Sequence, residues 1–249
     1  MTTLILHEHD DRLVVELARP EARNAINSDM VAELHAACDS LERTPRILII
    51  TGTTTPERGT FAAGADIRSL RDRGRDDALA GINSGILRRI AALPMPVIAA
   101  VDGFALGGGA ELAYAADLRI ASTRAVFGNP ETGLGIVAAA GGTWRLIELV
   151  GESLAKDLLF TGRRVNADEA LAFGLVSAVH PFEDLLNAAH RLADRIAEQD
   201  PLALRLTKRL LAAPRSAHPL VDELAQAILF ESGAKAERMD AFLNRSRSS

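Results

Sequence analysis

The 249-residue sequence is poor in sulfur and in rings, with one cysteine, one tryptophan, one tyrosine and 4% aromatic residues. A lone cysteine excludes an intrachain disulfide. Cys38 lies in a helical pattern beside Ala36 and Ala37 and reads as a small packing residue. No apolar run approaches the roughly 20 residues of a membrane span. Residues 1–10 carry neither a signal-peptide core nor an Arg-rich transit pattern, so the chain reads as cytoplasmic. The net charge is −5, and basic residues are scattered apart from short clusters at 68–75 and 205–209. That is not the basic footprint of a nucleic-acid binder, and neither nucleic acid nor membrane is expected as a partner. The six histidines are dispersed, with no zinc-binding spacing, so no metal site is expected. There is no G-x-S-x-G nucleophile elbow either.

What is present is ordinary for a globular protein: 48% hydrophobic and 24% charged residues, enough chain for a large core. Residues 4–9 and 13–17 read as strands around a turn at Asp10-Asp11. Ser28 reads as a helix N-cap, followed by Met30, Leu34, Ala37 and Leu41 at helical spacing. The apolar run 46–51 predicts a strand buried on both faces, ended by Gly52. A helix is expected over 77–93, stopped by Pro94 and Pro96, and a second buried strand over 96–101. Residues 103–109 form a glycine-rich turn opening a helix that runs through Tyr114. Short strands are expected at 117–121 and 125–127, and from Ala138 onward the chain reads mostly helical. Strands alternating with helices predict β-α units and a partly parallel sheet. No internal sequence repeat is visible. The expected division is a core over 1–181 and a helical region over 182–249.

Two segments share a logic. Gly64-Ala65-Asp66 and Leu106-Gly107-Gly108-Gly109 each end an extended stretch in small residues and open a helix. Helix N-termini leave backbone N–H groups unpaired, and small residues let a ligand approach them. Two converging donors would hold negative charge on a carbonyl oxygen. Each turn alone has a plainer explanation in tight packing, and Asp66 in helix capping. Glu111 falls one helical turn after Gly108, and Glu131 follows Pro130. Singly they read as a capping glutamate and a solvated loop carboxylate. Together they would suit general acid–base work beside a held carbonyl.

With these residues in place, the chain resembles the crotonase family of enoyl-CoA hydratases and isomerases along nearly its whole length. Arg19-Pro20-Glu21-Ala22-Arg23-Asn24-Ala25-Ile26-Asn27 is similar to the family's early coenzyme A segment. Phe61-Ala62-Ala63-Gly64-Ala65-Asp66-Ile67 and Asp102-Gly103-Phe104-Ala105-Leu106-Gly107-Gly108-Gly109-Ala110-Glu111-Leu112 resemble its two oxyanion segments. Phe127-Gly128-Asn129-Pro130-Glu131 and Gly141-Gly142-Thr143 resemble the segment of the second carboxylate and the helix after it. Glu237-Arg238-Met239-Asp240-Ala241-Phe242-Leu243 is similar to the terminal helix.

The resemblance implies an α/β crotonase-type spiral of β-β-α units with a C-terminal helical trimerisation region, as a homotrimer or homohexamer. It implies an acyl-CoA thioester substrate, with coenzyme A belonging to the substrate and no separate cofactor. Oxyanion donors are implied at Ala65 and Gly108, and catalytic carboxylates at Glu111 and Glu131. Coenzyme A contacts are implied at Ala22, Arg23, Ala63, Ala65, Asp66, Ile67 and Arg68. The activity implied is hydration of a trans-2-enoyl-CoA. The alternatives are a Δ3-Δ2-enoyl-CoA isomerase and a non-catalytic acyl-CoA-binding member of the fold. One departure stands out: Ala138-Ala139 replaces a Pro-Gly common in family hydratases, at a wall of the expected acyl pocket. Trp144 replaces a commonly polar residue and reads as buried packing.

Overall fold

The computed structural model describes residues 2–57 and 59–246. The chain forms two compact units, Met1–Asp194 and Arg195–Ser249. The first opens with the expected hairpin, β1 (Leu4–Glu8) antiparallel to β2 (Arg12–Leu17). Helix α1 (Ser28–Arg43) buries Met30, Leu34, Ala37, Cys38 and Leu41 along one stripe. Its N-cap is Asn27 rather than Ser28: Asn27 is extended and its side chain accepts from Met30 N, while Ser28 is already helical.

Strand β3 (Ile47–Thr54) passes straight through Gly52, which does not end it. The strand pairs with β2 up to Gly52 and then, through Thr53 and Thr54, with β4 (Gly59–Ala62). At the crossing a Cβ on residue 52 would stand 2.2 Å from the Thr60 carbonyl oxygen. Glycine marks a change of partner here, not a stop. After a short helix α2 (Ile67–Arg71), the helix expected over 77–93 is two pieces, α3 (Arg75–Ala80) and α4 (Ile82–Ala91). Gly81 sits between the last two in the left-handed region, at φ 64°.

Strands β5 (Val97–Val101) and β6 (Phe104–Leu106) lead to α5 (Gly108–Ala115), so the glycine-rich turn contains a strand. Strands β7 (Leu118–Ser122) and β8 (Val126–Gly128) come next, before α6 (Gly142–Val150) and α7 (Glu152–Thr161). Two-residue β9 (Val165–Asn166), α8 (Ala167–Ala172) and β10 (Val179–His180) follow.

Parallel pairing joins β2 to β3, β3 to β5, β5 to β7 and β7 to β10. A second parallel set joins β4 to β6 and β6 to β8. Each pass of the chain therefore lays one strand in each set and then a helix. Three passes build a spiral of β-β-α units that no sequence repeat betrays, because what recurs is pairing geometry. The near-continuous apolar runs of β3 and β5 reflect burial on both faces. Helix α9 (Leu185–Ala197) buries Leu185, Ala188, Ala189 and Ala193. The unit Arg195–Ser249 contains α10 (Pro201–Leu211), capped by Asp200, then α11 (Leu220–Phe230) and α12 (Gly233–Ser246).

Candidate active site

The register of β4, β6 and β8 positions the site. Ala62 lies opposite Ala105, and Ala105 opposite Phe127. Three residues past the first pair stand Ala65 and Gly108, at the same step of consecutive spiral turns. Their backbones approach closely: a Cβ on Gly108 would be 3.4 Å from Ala65 N, and one on Gly64 would be 3.8 Å from Gly108 N. Neither N–H has a backbone acceptor among the described hydrogen bonds. Gly107, the N-cap of α5, makes the turn at φ 51°, a conformation that favours glycine.

Two carboxylates flank these donors. Glu111 is only 4% exposed and sits in the first turn of α5. It does not cap its own helix. Its Oε1 accepts from Ala140 N at 2.7 Å and Gly142 N at 2.9 Å, at the start of α6. Burial pushes its pKa to about 7; the N–H of Gly142 opposes that rise, and the neighbouring charge of Glu131 adds to it. Glu131 is 7% exposed and begins a short 3₁₀ turn, Glu131–Leu134. Its Oε2 is buried without a hydrogen-bond partner among the described residues. Its Oε1 would be 3.1 Å from a Cβ on Gly107, which places this carboxylate against the turn that presents Gly108 N–H. Burial raises its pKa too.

Ala63, Ala65, Ile67, Gly108, Glu111 and Glu131 all line one cavity of about 560 Å³. Ala22, Arg23, Asp66 and Arg68 do not line it. Arg23 O accepts from Ala63 N, and Ile26 pairs with Gly64 and Asp66 through their backbones, so the early segment is stitched beside the first turn. Arg23 and Asn24 both have positive φ, 53° and 54°. Asn24 holds that bend by donating to Thr60 O at 2.8 Å and accepting from Arg19 N at 2.8 Å. The Asp66 side chain caps α2, accepting from Arg68 N and Ser69 N. Among the described residues, no group of three or more His, Cys, Asp or Glu is arranged to hold a metal.

A match to the family model described as enoyl-CoA hydratase/isomerase spans residues 10–247. The chain belongs to this family. It is 39% identical to the short-chain-enoyl-CoA hydratase of Clostridium acetobutylicum, over 95% of this chain and 89% of that one. It is 40% identical to the crotonyl-CoA hydratase of Syntrophomonas wolfei, over 97% and 95%. A solved enoyl-CoA hydratase structure from Bacillus anthracis superposes with a TM-score of 0.91 at 30% identity, covering 98% of this chain and 96% of that one. The spiral is thus the family's fold.

The structure also shows what pattern reading missed. Leu70, Arg73, Asp77 and Ile82 line the cavity from α2, α3, α4 and the links between them. Nothing in their spacing marks them, since they read as ordinary helix residues. Ala138 and Ala139 do not take positive φ; Gly141, at 137°, makes the turn instead. Alanine at 138 and 139 is therefore unstrained, and Ala140 N still reaches Glu111. Trp144 is 45% exposed, with the Arg145 guanidinium 4.1 Å from its ring centre, so it is not buried packing.

Proposed function

We propose that this protein hydrates trans-2-enoyl-CoA to 3-hydroxyacyl-CoA. The observation that carries the reading is the convergence in one cavity of two backbone donors with no backbone acceptor among the described residues, Ala65 and Gly108, and two buried carboxylates, Glu111 and Glu131. The names of the Clostridium and Syntrophomonas relatives support the same chemistry.

In this reading the thioester oxygen sits between the Ala65 and Gly108 N–H groups. Addition of water at Cβ moves electron density onto that oxygen, where each donor is worth roughly 3–4 kcal/mol in the transition state. Glu111, with a pKa of about 7, is substantially ionised near neutrality and takes a proton from water as it attacks Cβ. Its two backbone donors leave the second oxygen to meet the water. Glu131, whose burial favours the protonated form, gives a proton to Cα. A proton leaves water for one carboxylate and another enters carbon from its partner, so the site must exchange one proton per turnover to reset. No cofactor takes part, and coenzyme A arrives on the substrate.

Contacts to coenzyme A are assigned to Ala22, Arg23, Ala63, Ala65, Asp66, Ile67 and Arg68, around the stitched segments beside the donors. Residues 182–249 are assigned to trimer assembly. The exposed Leu211, Leu220, Leu224, Ile228 and Phe230 support that assignment, as apolar surface a partner copy would cover.

Crotonyl-CoA tests the activity directly. Loss of the conjugated enoyl-thioester absorbance is expected, and Glu131→Gln should cut turnover by roughly 10²–10⁴-fold with thioester binding nearly intact. Gain of that absorbance from a 3-enoyl-CoA, with no hydration product, would replace this reading with an isomerase. Tight acyl-CoA binding with no turnover of either would replace it with a binding protein.

A further inference from the structure

The chain's only tyrosine lies behind the two carboxylates. Tyr114, on the same helix as Glu111, is 3% exposed. Its hydroxyl donates to Asn129 Oδ1 at 3.0 Å. Asn129 is 1% exposed and lies two residues before Glu131. Among the described residues its buried Nδ2, like Glu131 Oε2, has no hydrogen-bond partner. A buried donor and a buried acceptor are thus both left over, two residues apart in the chain, where an unmade bond is costly. The Asn129 amide is also close enough to Glu131 to favour its ionised form. A Cβ on Gly142 would lie 3.5 Å from Asn129 Nδ2 and 3.3 Å from Glu111 Oε1, so the amide borders both glutamates. Asn129 does not line the cavity and acts from behind its wall.

We propose that Tyr114 and Asn129 form a positioning pair: the tyrosine hydroxyl occupies the amide oxygen and thereby commits the amide N–H₂ to Glu131. The opposite amide orientation would set its oxygen against the carboxylate. The pair fixes where the Glu131 proton sits and how readily it is released. This inference rests on the hydratase reading for its kinetic readout only. The charged or titratable groups around the pair are Glu111 and Glu131, with Arg119 beyond Tyr114; Arg73 and Asp77 line the same cavity.

The direction of the effect follows. The amide favours ionised Glu131, so removing its constraint raises the proton affinity of that carboxylate. An acid that holds its proton longer moves the alkaline limb of the turnover–pH profile upward. Tyr114→Phe keeps the ring and removes only the hydroxyl. It is expected to lower kcat on crotonyl-CoA about fivefold, leave KM within about twofold, and move the alkaline limb up by about half a pH unit. Asn129→Leu should do more of both. In the double variant, Tyr114→Phe should add nothing to Asn129→Leu, because the hydroxyl acts through the amide.

Carbon-13 titration of the Glu131 carboxyl reads the same shift without turnover. An inactive wild type would sink the hydratase reading, while the titration still decides the pair. A Tyr114→Phe enzyme with an unmoved Glu131 titration overturns the proposal. So do independent, multiplying effects of the two substitutions.

Discussion

On one side of the cavity, α5 stands on β4 with almost no clearance. A Cβ on Gly109 would lie 2.2 Å from Ala62 O. The helix is tied at its far end as well: buried Arg119 donates to Ala116 O at 2.6 Å and Leu175 O at 2.9 Å. On the other side, the chain from 67 to 91 is three short helices separated by turns, and its surface is open, with Ile67 and Leu79 both exposed. The first wall carries Gly108 N–H and Glu111, and the second offers side chains to the part of the cavity beyond them. Fixed donors suit a reaction centre, whose geometry must be held. A loosely built wall suits a region that distinguishes one acyl group from another.

Three substitutions probe this contrast, beginning with the largest effect. Gly109→Val places side-chain carbon where β4 backbone already stands. Because backbone cannot step aside as a side-chain tip can, the loss should be several kcal/mol of stability. Soluble, cooperatively melting protein with wild-type kcat would show that the tight wall is not tight.

Second is Glu111→Gln. The Glu111 pKa is about 7 in the folded chain against 4.5 for an unperturbed glutamate, so its ionisation opposes folding. The folded state holds the extra proton between those values, so stability falls as pH rises through that window and is flat above it. Removing the charge should recover roughly 3 kcal/mol above pH 7 and almost nothing at pH 4. Thermal melts at pH 8 and pH 4 measure it, and equal shifts at both would contradict it. In the proposed mechanism the same carboxylate must be ionised to act as base, so wild-type kcat/KM should fall below about pH 7.

The smallest effect belongs to the open wall. Leu70→Ala should cost about 1 kcal/mol or less and leave turnover of crotonyl-CoA within about threefold. Its expected effect is a changed preference between short and longer enoyl chains. A loss of turnover on the short substrate equal to that on the long ones would place Leu70 with the reaction centre.

Sequence pattern carries one wall better than the other, for a physical reason. The glycine turns must accept positive φ or close backbone contact, and few residues can, so Gly64, Gly107 and Gly109 are conspicuous. Burial of β3 and β5 on both faces leaves unbroken apolar runs. The motif resemblance named Glu111 and Glu131, and the structure places both in the cavity with Ala65 and Gly108. The other wall consists of common helix residues whose role comes from the direction they face. Gly52 misled for a related reason: the strand's change of partner depends on β4, which lies on the far side of a turn. The link between Tyr114 and Asn129 spans 15 positions and follows no period, so only the folded chain reveals it.

The matching step past β4 and past β6 delivers an N–H at Ala65 and another at Gly108. The same step past β8 arrives at Pro130, which has no N–H to offer, and the next residue is Glu131. Successive coils of one spiral thus hold three corresponding corners, two furnished with donors and the third leading into an acid. A change at any one corner alters what it contributes without re-threading a strand. The scaffold and the reaction can therefore diverge at separate rates, and new chemistry in such a chain is to be sought at its corners.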